Sequence, residues 1–365
     1  MSWLSGWAKR RQITIDHNDI DENLTDFPVL LHLSTNSGIN GADVTSIFDE
    51  VGSNSKKIAV TTSDGVTQCY VEVEKWDATN KEAWLWVKVP SISATEDTVL
   101  YIYYDNTQPD NTTYVGDPGE TPAQNVWDSN FVLVTHMRDD PDSSHIRDST
   151  SYANNGTKKG AGEPAVTANG KIDDAQDFDG TDDVVEIPDD DSLDVTSEIT
   201  LEAWIKLDVR PSSIPRHFTI ISKEYTYWML VSQGSDKIQL YISGEVADQY
   251  AYSTTALEAG EWYYVAGTYR ASDGQFRIYI NGVLETDLIR EAGNISTTIY
   301  PVKIGTLWNN FLDGIIDEPR ISNVARSPAW IKATYETERD HLLTYGSEET
   351  PPTPLKGLWL FFTGK

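Results

Sequence analysis

Residues 261–285 read EWYYVAGTYRASDGQFRIYINGVLE. The segment is rich in aromatic and β-branched side chains, which pack well on the surface of a pleated sheet. Asn281-Gly282 separates FRIYI from VLE, and an Asn-Gly pair between alternating residues is typical of a two-residue hairpin turn. The segment therefore predicts a β-hairpin over residues 276–285.

Runs of the same kind recur at short intervals and predict an all-β protein. They include RRQITID, QCYVEVEKW, AWLWVKV, TVLYIYY, ITLEAWIKL and IQLYIS. Short strands separated by turn residues favour sandwiches over alternating strand–helix units, so we expect two β-sandwich, jelly-roll-like domains. One helix is predicted, with Ser327 as its cap and Pro328 in its first turn, followed by AWIKATYETERDHLL.

Changes in composition divide the chain into four parts. NTQPDNTTYVGDPGETPAQN (106–125) is poor in apolar residues and rich in Pro, Gly, Asn and Thr, as linkers are. EETPPTPLK (348–356) marks a second break before the apolar tail GLWLFFTGK. We predict a first domain over 1–107, a linker over 108–126, a second domain over 127–346, and a proline-rich hinge with the tail over 347–365.

The charge balance excludes two classes of partner. The chain has 28 Lys+Arg and 57 Asp+Glu, a formal charge of −29. A nucleic-acid-binding face needs clustered Lys and Arg, and anionic membranes attract basic segments, so we expect neither nucleic acid nor membrane as a partner. The apolar runs are also too short for a spanning helix. The first residues lack the pattern of a signal peptide, which predicts synthesis in the cytoplasm.

The single cysteine, Cys69, excludes an intrachain disulfide framework and a multi-cysteine metal site. It lies in the alternating stretch TQCYVEVEKW, where a small buried or half-buried side chain is the expected role.

Residues 127–346 resemble the laminin-G/concanavalin A-like lectin family. The matching segments occur in the order of that family: VTHMRDDPDSSHIRDSTSYANNGT (134–157), GKIDDAQDFDGTDDVVEIPDD (170–190), the strands ITLEAWIKL, EWYYVAGTY and FRIYINGVLE, and FLDGIIDEPRISNVARSPAWI (311–331). Residues 1–107 resemble a different, uncharacterised β-domain family that often precedes such lectin domains. Its features are GWAKRRQITI, Phe27-Pro28-Val29, EVEKWD, WVKVP and YIYYDN. This second resemblance implies an architecture and no chemistry.

The segment 173–194 contains 11 Asp or Glu and no Lys or Arg. Such density is unfavourable unless the charges face solvent or hold a cation, and carboxylate oxygens are preferred ligands of calcium. The lectin resemblance implies one structural calcium ion, with Asp148, Asp179 and Asp317 at the matching positions. The alternatives are that Asp179 forms an Asx turn with Gly180 and that Asp317 pairs with Arg320.

Sugar recognition needs exposed aromatic faces beside hydrogen-bonding groups. Three segments, KEYTYWML, DQYAYST and TLWNNF, contain the candidate carbohydrate-binding residues Tyr225, Tyr227, Trp228, Tyr250, Tyr252, Trp308 and Asn309. Alternate members of a strand face opposite sides, so about half of them are expected to pack in the core.

We expect no catalytic residues. Glycosidases need two carboxylates about 5–10 Å apart, and the run of acids on one strand that enzymes of this sandwich carry is not found. No nucleophile elbow, phosphate-binding loop or His-Glu-x-x-His motif occurs either.

The expected function is a non-enzymatic display protein of a large assembly. Domains resembling these two are common in phage-encoded surface proteins, which implies a virion decoration or tail-associated protein that binds glycans and is localised on the virion surface. Its partners would be other virion proteins or copies of itself, reached through the apolar tail residues Leu358, Trp359, Leu360, Phe361 and Phe362. The alternatives are a free lectin or adhesin outside the cell or at its surface and, third, a glycoside hydrolase.

Overall fold

The computed structural model describes residues 2–159, 163–244 and 247–352. They form four sheets, arranged as two β-sandwich units in sequence, with 45% strand and 9% helix. The all-β sandwich prediction is confirmed. Among the described helices, none has the length and apolar character to cross a membrane.

The first unit contains eight strands and two short helices. The strands are β1 Lys9–Ile15, β2 Leu24–Leu33, β3 Ile58–Thr62, β4 Gln68–Cys69, β5 Val71–Asp77, β6 Glu82–Ile92, β7 Thr98–Tyr104 and β8 Val115–Gly116; the helices are α1 Ser46–Val51 and α2 Thr121–Gln124. Sheet I has the order β1-β7-β3-β4, and sheet II has the order β2-β6-β5-β8. Cys69 is buried between them, and burial raises the pKa of its thiol to about 12, so its role is packing.

The described residues of the second unit form sixteen strands. They are β9 Phe131–Val134, β10 His145–Ile146, β11 Gly156–Lys158, β12 Ala165–Thr167, β13 Ala175–Asp179, β14 Val185–Ile187, β15 Glu198–Leu207, β16 Phe218–Lys223, β17 Tyr227–Val231, β18 Lys237–Ser243, β19 Asp248–Ala256, β20 Trp262–Arg270, β21 Gln275–Ile280, β22 Val283–Ile289, β23 Val302–Ile304 and β24 Asp313–Ser322. Short 3₁₀ helices cover Asp191–Leu193 and Pro211–Ser213 in this unit and His17–Asp19 in the first unit.

These strands form the two layers of a sandwich. Sheet III has the order β10-β11-β14-β23-β16-β17-β18-β19, and sheet IV has the order β12-β13-β24-β15-β20-β21-β22, with β9 also pairing with β24. The inner faces of both sheets share one apolar core, in which Leu240 of sheet III and Val265 of sheet IV are fully buried.

The hairpin predicted over 276–285 is present. β21 and β22 pair antiparallel and are joined by Asn281 and Gly282, with φ of 51° and 74°. Both residues adopt the left-handed conformation that a type I′ turn requires, which is why the Asn-Gly pair was informative.

The predicted helix is also present as α3, Pro328–Glu338, and the Ser327 hydroxyl accepts the backbone N–H of Trp330 as its cap. The predicted segment AWIKATYETERDHLL extends to residue 343, whereas the helix ends at Glu338. Asp340 has a φ of 57°, which ends the helix, and the chain continues into β25, Leu343–Glu349.

Strand β25 returns to the first unit and pairs antiparallel with β1, placing Tyr345 opposite Ile13. Sheet I therefore has the full order β25-β1-β7-β3-β4. This differs from the predicted division, in which the second domain ended at residue 346 and a hinge began at 347. The predicted linker 108–126 likewise contains β8, which pairs with β5, and α2.

The two units are packed together by the outer face of sheet IV and by α3. Phe27 of β2 meets Trp330 of α3 edge-on at 4.8 Å, and the Leu30 N–H donates to the Thr337 hydroxyl at 2.9 Å. Trp204 and Tyr264 from the outer face of sheet IV belong to the same apolar cluster as the core of the first unit. Polar residues on that face are consequently buried between the units.

Candidate functional site

The aromatic candidates lie on sheet III, and alternation along β17 separates them. Tyr227 points into the sandwich core, is fully buried and donates its hydroxyl to the Leu193 carbonyl at 3.1 Å. The prediction that Tyr227 contributes to a binding surface is therefore wrong, since the period of two assigns it to the inner face. Trp228, its neighbour, lies on the outer face.

Trp228 forms the floor of an aromatic cluster on that outer face. It is 7% exposed and stacks on Tyr241 of β18, with ring centroids 3.5 Å apart and an interplanar angle of 6°. Leu230 and Leu307 complete the small apolar patch beneath it. A packed floor of this kind fixes the residues above it.

Trp308 and Tyr225 project from this floor. They are 50% and 51% exposed, and their ring centroids are 5.5 Å apart. Trp308 also meets Trp228 edge-on at 5.4 Å, and its indole N–H donates to the Glu224 carboxylate. We call Tyr225, Trp228, Tyr241, Tyr300 and Trp308 the Trp308 surface.

The backbone of this surface is held in uncommon conformations. Tyr225, Trp308 and Asn309 have φ of 58°, 49° and 64°, the left-handed region that non-glycine residues rarely adopt. Such positions persist only where the surroundings fix them, and they cluster at binding sites. The Asn310 amide fixes this loop by donating to the Leu307 carbonyl at 2.9 Å.

A cleft of about 290 Å³ opens beside Trp308. Its lining combines aromatic, charged and amide side chains: Asp182, Val184, Ser222, Glu224, Pro301, Lys303, Thr306, Leu307, Trp308, Asn309 and Phe311. An apolar wall with a few convergent polar groups is the usual chemistry of a small-ligand site. The predicted residues Tyr225, Trp228, Trp308 and Asn309 are thus brought together.

Tyr250 and Tyr252 lie on the same face, at the edge strand β19. They are 48% and 38% exposed, and their rings are 5.5 Å apart. Tyr250 is opposite Tyr241, which is opposite Trp228, so an aromatic row crosses three strands. The Tyr252 hydroxyl accepts the Gln239 amide at 2.8 Å.

Tyr241, Tyr300, Glu224 and Lys303 were not singled out from the sequence. The alternation in IQLYIS could have placed Tyr241 on the solvent face with Gln239, because the buried positions that alternate with them are isoleucine and leucine. The sequence around Tyr300 and Lys303 shows no pattern that would place them beside Trp308. Their place on the sheet depends on the path of the whole 290–305 segment.

The three aspartates predicted to hold calcium have separate hydrogen-bonding roles. The buried Asp148 carboxylate accepts the backbone N–H groups of Val134, Thr150 and Asn154 at 2.8–3.0 Å. Asp179 accepts the Thr181 N–H at 2.7 Å, an Asx turn. The buried Asp317 accepts the Lys171 and Ile172 N–H groups at 2.8 and 2.9 Å.

Three clusters of described His, Asp and Glu side chains bring possible ligand atoms within 4.8 Å of one another. They are Asp16/His17/Asp97, Glu74/His136/Glu318 and Glu163/Asp182/Asp183, and Asp148, Asp179 and Asp317 are in none of them. The calcium ion stays a prediction. The alternative for Asp317 was a pair with Arg320, and Arg320 contacts Glu318 and Glu338 at 2.6 and 2.7 Å. The tail residues Leu358 to Phe362 lie outside the described residues.

Comparison with known families confirms both resemblances. Residues 179–332 match the family model described as the concanavalin A-like lectin/glucanases superfamily, and residues 54–132 match the one described as a domain of unknown function (DUF2341). The chain therefore carries a concanavalin A-like sandwich preceded by an uncharacterised β-domain. The first description covers both binding and hydrolytic proteins. No curated protein matches the chain.

Three solved structures illustrate the similarity in fold. The binding domain of Paraclostridial Mosquitocidal Protein 1 is 10% identical over 57% of this chain and 52% of that chain, with a TM-score of 0.46. Domain 4 of AbnA, a GH43 extracellular arabinanase from Geobacillus stearothermophilus, in complex with arabinotriose, is 23% identical over 56% and 98%, with a TM-score of 0.44. Botulinum neurotoxin type C, from work on its interaction with two ganglioside molecules, is 15% identical over 57% and 51%, with a TM-score of 0.44. The similarity spans about half of the toxin chains, and at these scores it does not bear on function.

Proposed function

We propose that the second unit binds carbohydrate, without catalysis, on the Trp308 surface. The observation that carries this proposal is the half-exposed Trp308 ring, held by Glu224 above the packed Trp228 floor and beside a polar cleft. An aromatic ring fixed in this way offers its face to the C–H face of a sugar at little cost in side-chain entropy. The cleft supplies donors and acceptors for the hydroxyl groups.

The row formed by Trp228, Tyr241 and Tyr250 suggests that the ligand is extended. Neighbouring strands lie about 4.8 Å apart. Tyr250 is two strands away from Trp228, so their backbones are about 10 Å apart across the sheet. An oligosaccharide that binds at the cleft can therefore reach the Tyr250/Tyr252 pair. A monosaccharide would contact only the cleft.

Screening the full chain on a glycan array, followed by titration of any bound glycan, tests this proposal. We expect Trp308→Ala to abolish detectable binding and Tyr252→Ala to weaken binding of long glycans more than of short ones. Tyr152→Ala is the matched control, because Tyr152 is 42% exposed and lies outside the Trp308 surface. Equal binding by wild type and Trp308→Ala would contradict the site.

A hydrolytic function is the alternative that the cleft itself allows, since Glu224 and Asp182 both line it. Two features favour binding: Glu224 is engaged by the Trp308 indole, and Asp182 forms an ion pair with Lys159. Release of reducing sugar from a bound glycan, abolished by Glu224→Gln, would instead support a hydrolase.

We further propose that the protein displays this surface on a larger assembly, such as a virion, and is attached to it through the first unit and the tail. The described chain leaves sheet I at the end of β25, where Glu349 and Pro352 line a surface depression with Trp3 and Arg10. Attachment there would leave the Trp308 surface, on the other unit, accessible. Deleting residues 351–365 should abolish co-purification with particles and leave glycan binding intact; a free lectin or adhesin would show no particle association.

The structural calcium ion is tested separately by calorimetric titration of the chelator-treated chain. We expect one calcium per chain and a rise in melting temperature. Absence of both would remove calcium from the proposal without affecting the Trp308 surface.

A further inference from the structure

Glu74, His136 and Glu318 meet at the junction of the two units. Glu74 lies on β5 of the first unit, whereas His136 follows β9 and Glu318 lies on β24 of the second. Their relative exposures are 1%, 3% and 1%. None of the three takes part in the Trp308 surface.

The spacing of their polar atoms suits a metal ion. His136 Nδ1 is 2.8 Å from Glu318 Oε1 and 3.4 Å from Glu74 Oε2, and ligand atoms of all three lie within 4.8 Å of one another. With bonds of about 2.1 Å, adjacent ligands of one cation are about 3.0 Å apart at right angles and about 3.4 Å apart at tetrahedral angles. The 3.4 Å separation equals the tetrahedral value, whereas the 2.8 Å separation is slightly shorter than the right-angle value and is a direct hydrogen bond between His136 and Glu318.

Neighbouring side chains orient each of the three residues. The Trp86 indole donates to Glu74 Oε2 at 2.6 Å, and the Arg320 guanidinium donates to Glu318 Oε2 at 2.6 Å. His136 Nε2 faces Glu72 Oε2 at 3.5 Å. A carboxylate on the far nitrogen of a histidine is the usual partner of a metal-ligating imidazole.

Two buried atoms of the trio lack a hydrogen-bond partner, namely Glu74 Oε1 and His136 Nε2. Nearly all buried polar atoms are hydrogen-bonded, so an orphan needs an explanation. A cation bound to His136 Nδ1 would replace the hydrogen bond between that nitrogen and Glu318 and would leave the ring proton on Nε2, which faces Glu72. Glu74 Oε1 would then be available as a second oxygen ligand.

The backbone also aims these side chains inward. Glu74 is the extra residue of a bulge between β5 and β6, and Glu318 lies in a bulge of β24 opposite Ala203, with a φ of 50°. Bulges redirect a side chain at the expense of a ladder hydrogen bond and are common beside functional sites.

The surrounding charge is unbalanced. Around the trio, the connected ionic side chains are Glu72, Glu202, Glu338 and Arg320. Burial raises the pKa of Glu338 to about 8, so at neutral pH the negative charge rests on the other four glutamates, against one arginine and one histidine. A divalent cation would reduce that excess of negative charge.

We propose that Glu74, His136 and Glu318 bind a divalent first-row transition metal, such as zinc or manganese, that ties the first unit to the second. The imidazole nitrogen in the donor set favours these metals over calcium and magnesium, which prefer oxygen ligands alone. A cleft of about 1040 Å³ between the units, which Glu74 helps to line, provides the approach.

The competing state has no cation. In it, His136 is an imidazolium held by the carboxylates, because Glu318, Glu74 and Glu72 outweigh the burial that lowers its pKa and raise that pKa well above its ordinary value. The two states differ in metal content and are distinguished by measurement.

The test uses the full chain, stripped with chelator and titrated calorimetrically with Zn²⁺ and Mn²⁺. We expect one ion per chain, no competition from excess Ca²⁺ or Mg²⁺, and at least a tenfold loss of affinity in Glu74→Gln, which keeps an acceptor for Trp86. Asp97→Asn is the matched control, because Asp16, His17 and Asp97 likewise bring one imidazole and two carboxylates together, but in an exposed or half-buried position.

No uptake by the wild-type chain, or equal loss in Asp97→Asn and Glu74→Gln, would overturn the proposal and leave the imidazolium state. If Glu74→Gln fails to fold, the visible spectrum of Co²⁺ bound to the wild-type chain is measured to identify the ligand atoms. A spectrum with mixed nitrogen and oxygen coordination supports the site, and the spectrum of hydrated Co²⁺ contradicts it. Neither result depends on glycan binding.

Discussion

The Trp308 surface and the junction between the units are both built from aromatic and carboxylate side chains, but they use them in opposite ways. At the Trp308 surface, one carboxylate, Glu224, holds a half-exposed indole. At the junction, Trp86, Trp127 and Trp204 are buried, and each donates its indole N–H to a buried glutamate at 2.6–2.7 Å. Tryptophan thus offers its ring to solvent at the Trp308 surface, whereas at the junction it donates hydrogen bonds that support buried glutamates.

Recognition and stability are therefore assigned to different regions of the molecule. Removing a surface group changes what the protein can bind, whereas removing a junction group leaves unpaired charge in a dry environment. The following variants test that division, beginning with the largest expected effect.

Arg320→Ala should be the most damaging of them. Arg320 is 1% exposed and contacts Glu318 at 2.6 Å and Glu338 at 2.7 Å. Its loss removes the guanidinium from both buried carboxyls and leaves Glu318 with His136 and Glu338 with the Trp204 indole as remaining partners. We expect the free energy of unfolding to fall by about 3–5 kcal/mol. Denaturant unfolding measures this, with Arg277→Ala, from the partly exposed pair with Asp287, as a control that costs less than about 1 kcal/mol. Similar losses in both variants would contradict the assignment of the junction as the stabilising region.

Glu338 should make the junction sensitive to pH. Burial raises the pKa of its carboxyl to about 8, outweighing the attraction of Arg320. The folded state then binds a proton that the unfolded state has lost between about pH 4.5 and 8, so this group's contribution to stability falls as pH rises through that range. The pH dependence of the free energy of unfolding, measured in chelator, should be less steep in Glu338→Gln. An unchanged or steeper decline would show that Glu338 is already ionised.

The contrast also explains which parts were predictable from the sequence. The Asn281-Gly282 turn and the Ser327 cap are local, so a few neighbouring residues specify them. The outward position of Trp228 follows from alternation along one strand. These features need no knowledge of the other unit.

The junction was not predictable in this way. In VEVE, alternation assigns Glu72 and Glu74 to a polar face, yet both are buried, because the second unit covers that face. His136 and Glu318 are 182 residues apart in the chain. The residues of β25 were likewise divided between the second domain and the hinge, because the pairing of β25 with β1 depends on a long-range return that its own composition does not indicate.

Tyr227→Phe tests whether Tyr227 is a core residue and not part of the Trp308 surface. The Tyr227 hydroxyl donates to the buried Leu193 carbonyl, so its removal should lower the free energy of unfolding by about 1 kcal/mol and leave glycan affinity unchanged. Tyr225→Phe, at 51% exposure, should show no such loss of stability. A binding defect in Tyr227→Phe alone would return this residue to the recognition surface.

Glu224→Gln should have the smallest effect on stability and still alter recognition. The substitution keeps an acceptor for the Trp308 indole but replaces a charge-assisted hydrogen bond by a neutral one, which is roughly half as strong. We expect the free energy of unfolding to change by less than about 0.5 kcal/mol. Glycan affinity should fall several-fold, because the ring is held less firmly, and titration calorimetry measures that fall. Loss of stability without loss of affinity would mean that Glu224 belongs with the junction glutamates, as a structural partner of tryptophan, and that the indole is not positioned for a ligand.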